Sequence, residues 1–334
     1  MKEISFSFII PVYNRPQEIR ELLESFTLLQ EAPKYEIVIV EDGSTDTSES
    51  VIKDFKDQLN ISYYYKNNSG PGDSRNYGMH RAQGEYFIIL DSDVILPSNY
   101  LKEVNHFLEN TYYDCFGGPD NAHPSFSNLQ KAINFAMTSF ITTGGIRGGK
   151  KQVEDFQPRS FNMGISKKAF LASGGFGKIH PGEDPDLSLR LQKLGFKTVL
   201  IENAFVYHKR RISWKKFYVQ VNKFGLVRPI INQWHPKSKS LVYWFPTLFS
   251  LGFVLSLLLT LVNIPILLYF YVLYFLVAFL LAFISSKNII VAFQSILAIG
   301  IQFFGYGYGF LKSTISLLIL KKKPEHAFPK LFFK

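Results

Sequence analysis

The sequence predicts an α/β domain with a Rossmann-like, mostly parallel sheet, followed by C-terminal transmembrane helices. Four short apolar runs recur at spacings of 25 to 30 residues, with helical patterns between them. By contrast, the 80 residues from 241 to 320 hold only two charged side chains, Lys287 and Lys312. A folded domain and a membrane segment therefore follow each other along the chain.

The four runs, residues 5–13, 35–40, 61–65 and 86–90, are predicted to be strands. Parts of the second and fourth are apolar without alternation, as expected of strands that are covered on both faces. Residues 16–30 and 45–59 show helical spacing, so repeated β-α-β units are expected to form a parallel, doubly wound sheet. Ligands of such sheets bind beyond the carboxyl ends of the strands. A further strand is expected at 160–166, a helix at 184–194, and one or two strands within 197–207.

Charge is divided unevenly along the chain. Residues 1–202 carry 21 Lys and Arg against 26 Asp and Glu, whereas residues 203–240 carry nine basic residues and no acid. A nucleic-acid-binding protein would place its basic excess on the folded domain, so we expect no nucleic-acid partner. Basic residues directly before apolar spans suit an anionic lipid surface instead. We therefore predict a lipid bilayer as a partner and a basic, amphipathic interfacial segment at 211–240.

The apolar region is predicted to contain three elements, at 241–262, 264–284 and 289–320. The first two are long enough to span a bilayer, which takes roughly 20 residues. The third would form a helix of about 48 Å, too long for one upright span, and four glycines between 300 and 309 could break it. The lysines that begin the basic tail, 321–334, favour a cytoplasmic end and thus an even number of crossings. We expect two spans and a broken or re-entrant third element.

The domain itself, residues 1–210, is expected on the cytoplasmic side of the cytoplasmic membrane. Residues 4–13 are apolar, but they lack the features of a secretory signal peptide. The single cysteine, Cys115, excludes an internal disulfide framework and a cysteine-rich zinc site.

Asp91, Ser92 and Asp93 follow the fourth predicted strand. Residues two apart on an extended chain point to the same face, so the two carboxylates would repel each other unless a cation lay between them. Oxygen ligands of this kind suit Mg²⁺ or Mn²⁺. An isolated Asp-x-Asp is usually a solvated turn, but the buried strand before it favours a metal site. His208, which ends another apolar run, is either a further metal ligand or an interfacial histidine.

Other polar clusters follow the remaining predicted strands. Residues 41–46 could accept hydrogen bonds from ribose hydroxyls or base N–H groups, and Tyr13 could flank a flat base. Arg75, in a predicted helix that follows a flexible turn, suits an anion. Glu183 and Asp184 suggest a positioned general base, although acids at a helix N-terminus are also stabilising by themselves.

Together these stretches resemble the inverting glycosyltransferases of family 2, which have the GT-A nucleotide-sugar-binding fold. The resemblance covers residues 4–210 and rests on the order and spacing of 11–14, 41–46, 70–78, 91–93 and 183–184. The second motif begins Glu-Asp where Asp-Asp is commoner in the family. The Gln-x-x-Arg-Trp signature of processive synthases is absent, which favours the addition of one or few sugars.

The resemblance implies a membrane-anchored enzyme that transfers a sugar, with inversion, from a nucleotide-diphospho-sugar to a hydroxyl acceptor. The acceptor would be a glycan or a polyprenyl-linked sugar, and the cofactor Mg²⁺ or Mn²⁺. The alternatives are a sugar-1-phosphate nucleotidyltransferase and a non-catalytic membrane scaffold. The implied site residues are Asp184 and Glu183 for catalysis; Pro11, Tyr13, Asn14, Glu41, Asp42, Arg75, Asp91 and Ser92 for the nucleotide sugar; Asp91, Asp93 and His208 for the metal; and Asn162, Met163, Arg210 and Arg211 for the acceptor.

Overall fold

The computed structural model describes residues 4–121, 123, 126–144, 156–209 and 213–333. The chain divides into two compact units. The first comprises Met1–Asn121, Lys150–His208 and Phe332–Lys334, and the second comprises Ala122–Gly149 and Lys209–Leu331. The assignment of residues 122–149 to the second unit corresponds to no pattern that the sequence offers.

The four predicted N-terminal strands are confirmed, and shorter strands follow them. In chain order the strands are β1 Phe6–Val12, β2 Tyr35–Asp42, β3 Ile61–Lys66, β4 Tyr86–Leu90, β5 Val94–Ile95, β6 Cys115–Gly117, β7 Asp120–Asn121, β8 Asn162–Ser166, β9 Thr198–Leu200 and β10 Val206–His208.

The helices in chain order are α1 Pro16–Thr27, α2 Glu49–Lys53, α3 Pro71–Arg81, α4 Tyr100–Asn110, α5 Asn128–Thr138, α6 Phe140–Thr143, α7 Lys167–Ser173, α8 Glu183–Lys193, α9 Trp214–Trp234, α10 Phe245–Leu261, α11 Ile266–Ser286, α12 Ile289–Thr314 and α13 Pro324–Ala327. A π-helical turn, Ile315–Ile319, continues α12. Short 3₁₀ turns lie at Pro236–Ser238, Leu241–Trp244 and Pro329–Leu331. The helix expected at 45–59 is shorter than its apolar spacing suggests.

The first unit is built on a seven-stranded sheet of order β3-β2-β1-β4-β8-β6-β9. The β1–β2, β2–β3, β1–β4 and β6–β9 pairs are parallel, whereas β8 runs antiparallel to both of its neighbours. A small second sheet has the order β5-β10-β7. The carboxyl ends of β1, β2 and β4 therefore lie side by side at one edge of the large sheet, as the sequence predicts.

Both faces of the large sheet are covered. Along β1, Phe8 and Ile10 join the hydrophobic cluster that contains α1 and α4, whereas Ile9 joins the cluster that contains α3, α7 and α8. Successive strand residues point to opposite faces, so a strand buried on both sides must be apolar throughout. This explains why β4 is apolar throughout and fully buried.

The second unit contains the apolar helices. Among the described residues, three helices are long and apolar enough to cross a membrane, namely Leu241–Leu261, Ile266–Ser286 and Ile289–Ile319. The predicted break in the third element is wrong, because α12 is continuous through its glycines. A Cβ atom on Gly305 would lie 2.8 Å from a Val221 methyl group, and one on Gly309 would lie 2.4 Å from the Asn222 carbonyl oxygen. These glycines thus let α12 pack closely against α9.

Candidate active site

Asp91 and Asp93 follow β4, the central strand of the large sheet. The next strand, β5, pairs antiparallel with β10 and sets His208 opposite Val94. As a result, His208 Nε2 lies 3.2 Å from Asp93 Oδ1. One ligand atom from each of Asp91, Asp93 and His208 lies within 4.8 Å of the other two. The pairing of two short strands thus assembles the three residues that the sequence predicts as metal ligands.

The surroundings of His208 fit those of a metal ligand. Its ring stacks on Phe161 with a centroid distance of 4.8 Å and an interplanar angle of 24°. Its second ring nitrogen, Nδ1, lies 3.8 Å from Asp120 Oδ2. A carboxylate beside the non-ligating nitrogen is the usual arrangement around metal-bound histidine. Two carboxylates and one imidazole form a donor set that Mn²⁺ accepts readily, whereas Mg²⁺ prefers oxygen ligands alone.

Arg15 is a member of this cluster that sequence reasoning missed. Its Nη1 donates to Asp93 Oδ2 at 2.8 Å. Asn14, which precedes it, has a φ of 53° and fixes the loop, because its Oδ1 accepts from the backbone N–H groups of Thr45 and Asp46 at 2.8 and 2.9 Å. The predicted nucleotide-binding residue Asn14 therefore holds two loops together. Arg15 directly follows Asn14 in the sequence, and this position beside a predicted site residue was the available signal for Arg15.

Arg75 lies between two acids and is only 3 % exposed. Its Nη2 donates to Asp91 Oδ1 at 2.8 Å, and its Nη1 donates to Glu183 Oε1 at 2.9 Å. Burial lowers the pKa of Arg75, but the two carboxylates outweigh burial and the net shift is upward. The guanidinium therefore remains charged and connects Asp91, one of the candidate metal ligands, to the start of α8.

The neighbouring acids of α8 differ in their surroundings. Burial alone would raise the pKa of Glu183, but His180, with Nδ1 at 2.9 Å, and Arg75 outweigh burial and lower it. Burial is also the largest influence on Asp184, and together with the charge of Glu183 it raises the pKa of Asp184. Arg159 Nη1, 3.7 Å from Asp184 Oδ2, opposes this shift without cancelling it. A pair of acids with pKa values shifted apart is typical of a site in which one member accepts a proton.

The predicted nucleotide contacts after β2 are engaged within the protein. Glu41 is fully buried and its carboxylate accepts from Ser48 N at 2.9 Å, as well as from the Ser44 hydroxyl. Asp42 is 4 % exposed, and its carboxylate accepts from Lys66 Nζ at 2.7 Å and from Gly70 N at 2.9 Å. In this structure both acids shape the loops at the sheet edge, and neither presents a free carboxylate.

The remaining predicted nucleotide-binding residues lie at the same edge. Tyr13 is 53 % exposed directly after β1, where its ring is available to a flat base, and Tyr65 at the end of β3 is equally exposed. Pro11 lies within β1, and its backbone is in register with Val40 of β2. Ser92 lies between the two aspartates and is 6 % exposed.

The structure buries two of the four predicted acceptor residues. Asn162 and Met163 are both fully buried in β8. Asn162 accepts from the Tyr100 hydroxyl at 2.6 Å and donates to the Ala204 carbonyl at 2.7 Å, while Met163 packs in the core. Neither side chain is exposed at the surface, because an interior strand of the sheet needs apolar or internally bonded side chains. Arg210 and Arg211 lie outside the described residues.

The sequence of this region matches a known family. Residues 7–170 match the sequence model of glycosyl transferase family 2. The predicted resemblance to this family is thus confirmed over these residues. The poly(ribitol-phosphate) β-N-acetylglucosaminyltransferase TarS of Staphylococcus aureus is 35 % identical over 115 residues, which is 33 % of this chain and 20 % of TarS. The matched part of this relative is therefore about a fifth of its length.

Solved structures support the fold. The mannosyltransferase PcManGT from Pyrobaculum calidifontis, solved with GDP-Man and Mn²⁺, superimposes with a TM-score of 0.58 over 95 % of this chain and 88 % of that chain, at 14 % identity. S. aureus TarS 1-349, solved with UDP-GlcNAc, superimposes with a TM-score of 0.50 over 92 % of this chain and 91 % of that chain, at 18 % identity. At these identities the likeness concerns the fold alone, and it confirms the predicted GT-A-like architecture.

Proposed function

We propose that this protein is a membrane-anchored glycosyltransferase that moves a sugar from a nucleotide-diphospho-sugar to a hydroxyl acceptor with inversion. The observation that carries the proposal is the Arg75 bridge. One buried guanidinium, that of Arg75, contacts both Asp91 and Glu183. Asp91 is one of the three candidate metal ligands, and Glu183 is next to Asp184 in the sequence. A candidate diphosphate site and a candidate proton acceptor are thereby held at a fixed separation, as a displacement reaction requires.

The chemistry of displacement assigns a role to each group. Departure of a nucleoside diphosphate builds negative charge on the leaving oxygen, and a divalent ion held by Asp91, Asp93 and His208 would supply compensating positive charge. Arg15, whose Nη1 lies 2.8 Å from Asp93 Oδ2, would add a protein cation to the same site. Asp184 accepts the proton of the attacking hydroxyl, because its raised pKa makes it the more basic of the two neighbouring acids.

The neighbours suggest the donor class. TarS 1-349 was solved with UDP-GlcNAc and PcManGT with GDP-Man and Mn²⁺. We propose a UDP- or GDP-linked sugar and Mn²⁺ for this protein. We propose a polyprenyl-linked or other cell-envelope glycan precursor as the acceptor, because three helices suited to a bilayer belong to the same chain. The catalytic domain would then lie on the cytoplasmic side, where nucleotide sugars are made.

The test is a panel of nucleotide sugars given to membranes that contain the protein, with release of nucleoside diphosphate as the readout. We expect release with at least one donor, dependent on Mn²⁺ and increased by a lipid extract that contains polyprenyl-linked acceptors. The anomeric configuration of the product, read by NMR, tests inversion. Release of pyrophosphate from a nucleoside triphosphate and a sugar phosphate would instead identify a nucleotidyltransferase. No turnover with any donor would favour a scaffold.

A further inference from the structure

A short segment, residues 332–333, lies on the first unit against the loop that leads into α8. It forms an antiparallel bridge between Phe332 and Ile179, and Phe333 N donates to the Lys178 carbonyl at 3.0 Å. Ile179 is 1 % exposed. The 332–333 segment thus adds backbone pairing to the loop that leads into α8.

The Phe333 ring contacts two loops at once. On one side it covers Gly70, where an added Cβ would lie 2.4 Å from the ring. On the other side it faces the His180 ring, with a centroid distance of 6.1 Å. Gly70 precedes α3, which carries Arg75, and His180 precedes α8, which carries Glu183. The ring therefore spans the starts of the two helices whose side chains meet in the Arg75–Glu183 ion pair.

The first half of the loop before α8 is bonded to other elements, since Asn76 of α3 exchanges two hydrogen bonds with the backbone of Phe176 and Arg190 of α8 donates to the Ser173 and Gly175 carbonyls. The 332–333 segment pairs with the second half of this loop.

The loop contains glycines with positive φ at Gly174, Gly175 and Gly182, so its backbone includes conformations that only glycine adopts freely. His180 Nδ1 lies 2.9 Å from Glu183 Oε1, and the same oxygen accepts from Arg75. A shift of the His180 ring would therefore be transmitted to the carboxylate that Arg75 holds, and to the adjacent Asp184.

We propose that Phe333 is a positioning residue of the transfer reaction. Its ring holds the loop before α8, at His180, against the turn before α3, at Gly70. This inference rests on the proposed function, since its effect is on the placement of Asp184. It assigns a role in the active site to a segment that follows the membrane region in sequence. A ring held between two loops restricts both without contacting the substrate.

The test compares variants of the full-length chain in membranes. Phe333→Ala removes the ring, Phe333→Tyr keeps it, and Lys330→Ala is the control because Lys330 is exposed near the same segment. We expect Phe333→Ala to lower kcat by about 10- to 100-fold, the scale that small misplacements of reacting groups produce. The donor KM should change by less than about threefold, since the loss is not one of ground-state binding. Phe333→Tyr and Lys330→Ala should retain kcat within about twofold.

A second measurement separates this proposal from the proposed function. Hydrogen exchange of the amides at 178–183 should accelerate in Phe333→Ala, while the amides of β2 remain protected. If Phe333→Ala does not fold, Phe333→Leu, which keeps bulk without a flat ring, takes its place with a smaller effect in the same direction. A parent protein without turnover refutes the proposed function. Unchanged exchange at 178–183 in Phe333→Ala refutes the role of Phe333 in holding the loop before α8, whether or not the parent protein turns over. Faster exchange with unchanged kcat, or a loss confined to KM, also overturns the positioning role.

Discussion

Replacing each of two adjacent acids by its amide should have different effects: Asp184→Asn should lower kcat, and Glu183→Gln should lower the thermal stability. Asp184→Asn keeps the shape of the side chain and removes its basicity. Because Asp184 is the proposed proton acceptor, kcat should fall by about 10²- to 10⁴-fold, the range that general-base catalysis contributes. The donor KM and the thermal stability should change little, since the nearest charged partner, Arg159, is 3.7 Å away and partly exposed.

Glu183→Gln should instead act on stability. The carboxylate is 3 % exposed and pairs with Arg75, which is equally buried. Breaking one partner of a buried pair costs about 3 to 5 kcal/mol, because a charge is left uncompensated. Asp91 still pairs with Arg75, so the lower end of that range applies. On this basis Glu183→Gln should lower the thermal midpoint by several degrees in detergent, whereas Asp184→Asn should not.

The assay for both variants is release of nucleoside diphosphate per folded molecule, measured together with thermal unfolding. Asp186→Asn is the matched control, since Asp186 lies in the same helical turn and pairs with Arg190, away from the other two acids. Near wild-type turnover in Asp184→Asn would refute the assignment of the base. Equal unfolding midpoints for Glu183→Gln and the parent protein would refute the view that Arg75 depends on Glu183.

Four further outcomes are expected. Asp93→Ala should abolish the increase in nucleotide affinity that Mn²⁺ produces, and equal titration curves with and without Mn²⁺ in the parent protein would contradict the metal site. Because Asp184 must be ionised to accept a proton and its pKa is raised, kcat/KM should fall with decreasing pH through a limb above the usual Asp value of about 3.9. Arg159→Gln should move that limb to higher pH, because it removes the cation that lowers the pKa, and an unmoved limb would exclude Asp184 as the titrating group. Gly309→Leu should disrupt the packing of α12 on α9 and reduce the folded yield, as measured by size-exclusion chromatography in detergent. Gly300→Leu should not, since among the described residues no heavy atom outside the nearby helix backbone lies within 4 Å of a Cβ built at Gly300.

The strands and the sheet edge could be predicted because they depend on local rules. A strand covered on both faces needs continuous apolar residues, and polar side chains can follow it only where it ends, as in Leu90 followed by Asp91. Which distant residues contact each other in the site could not be predicted in this way. His208 meets Asp93 because β10 pairs with β5 across more than a hundred residues, and no spacing in the sequence encodes that register.

The predictions that the structure does not support have a common physical cause. The same residue type can occur in a packed interior or at a functional site, and a short sequence pattern does not distinguish the two. Asn162 reads as a polar strand residue suited to an acceptor, yet its amide satisfies Tyr100 and the Ala204 carbonyl inside the core. The glycines of α12 read as helix breakers, yet in an apolar unit they permit close contact between helices, which offsets their low helix propensity. Arg75 is predicted as an anion ligand, and this role stays a prediction, because in the structure its partners are two protein carboxylates. In each case the deciding quantity is the tertiary neighbour, and a sequence pattern of a few residues does not contain it.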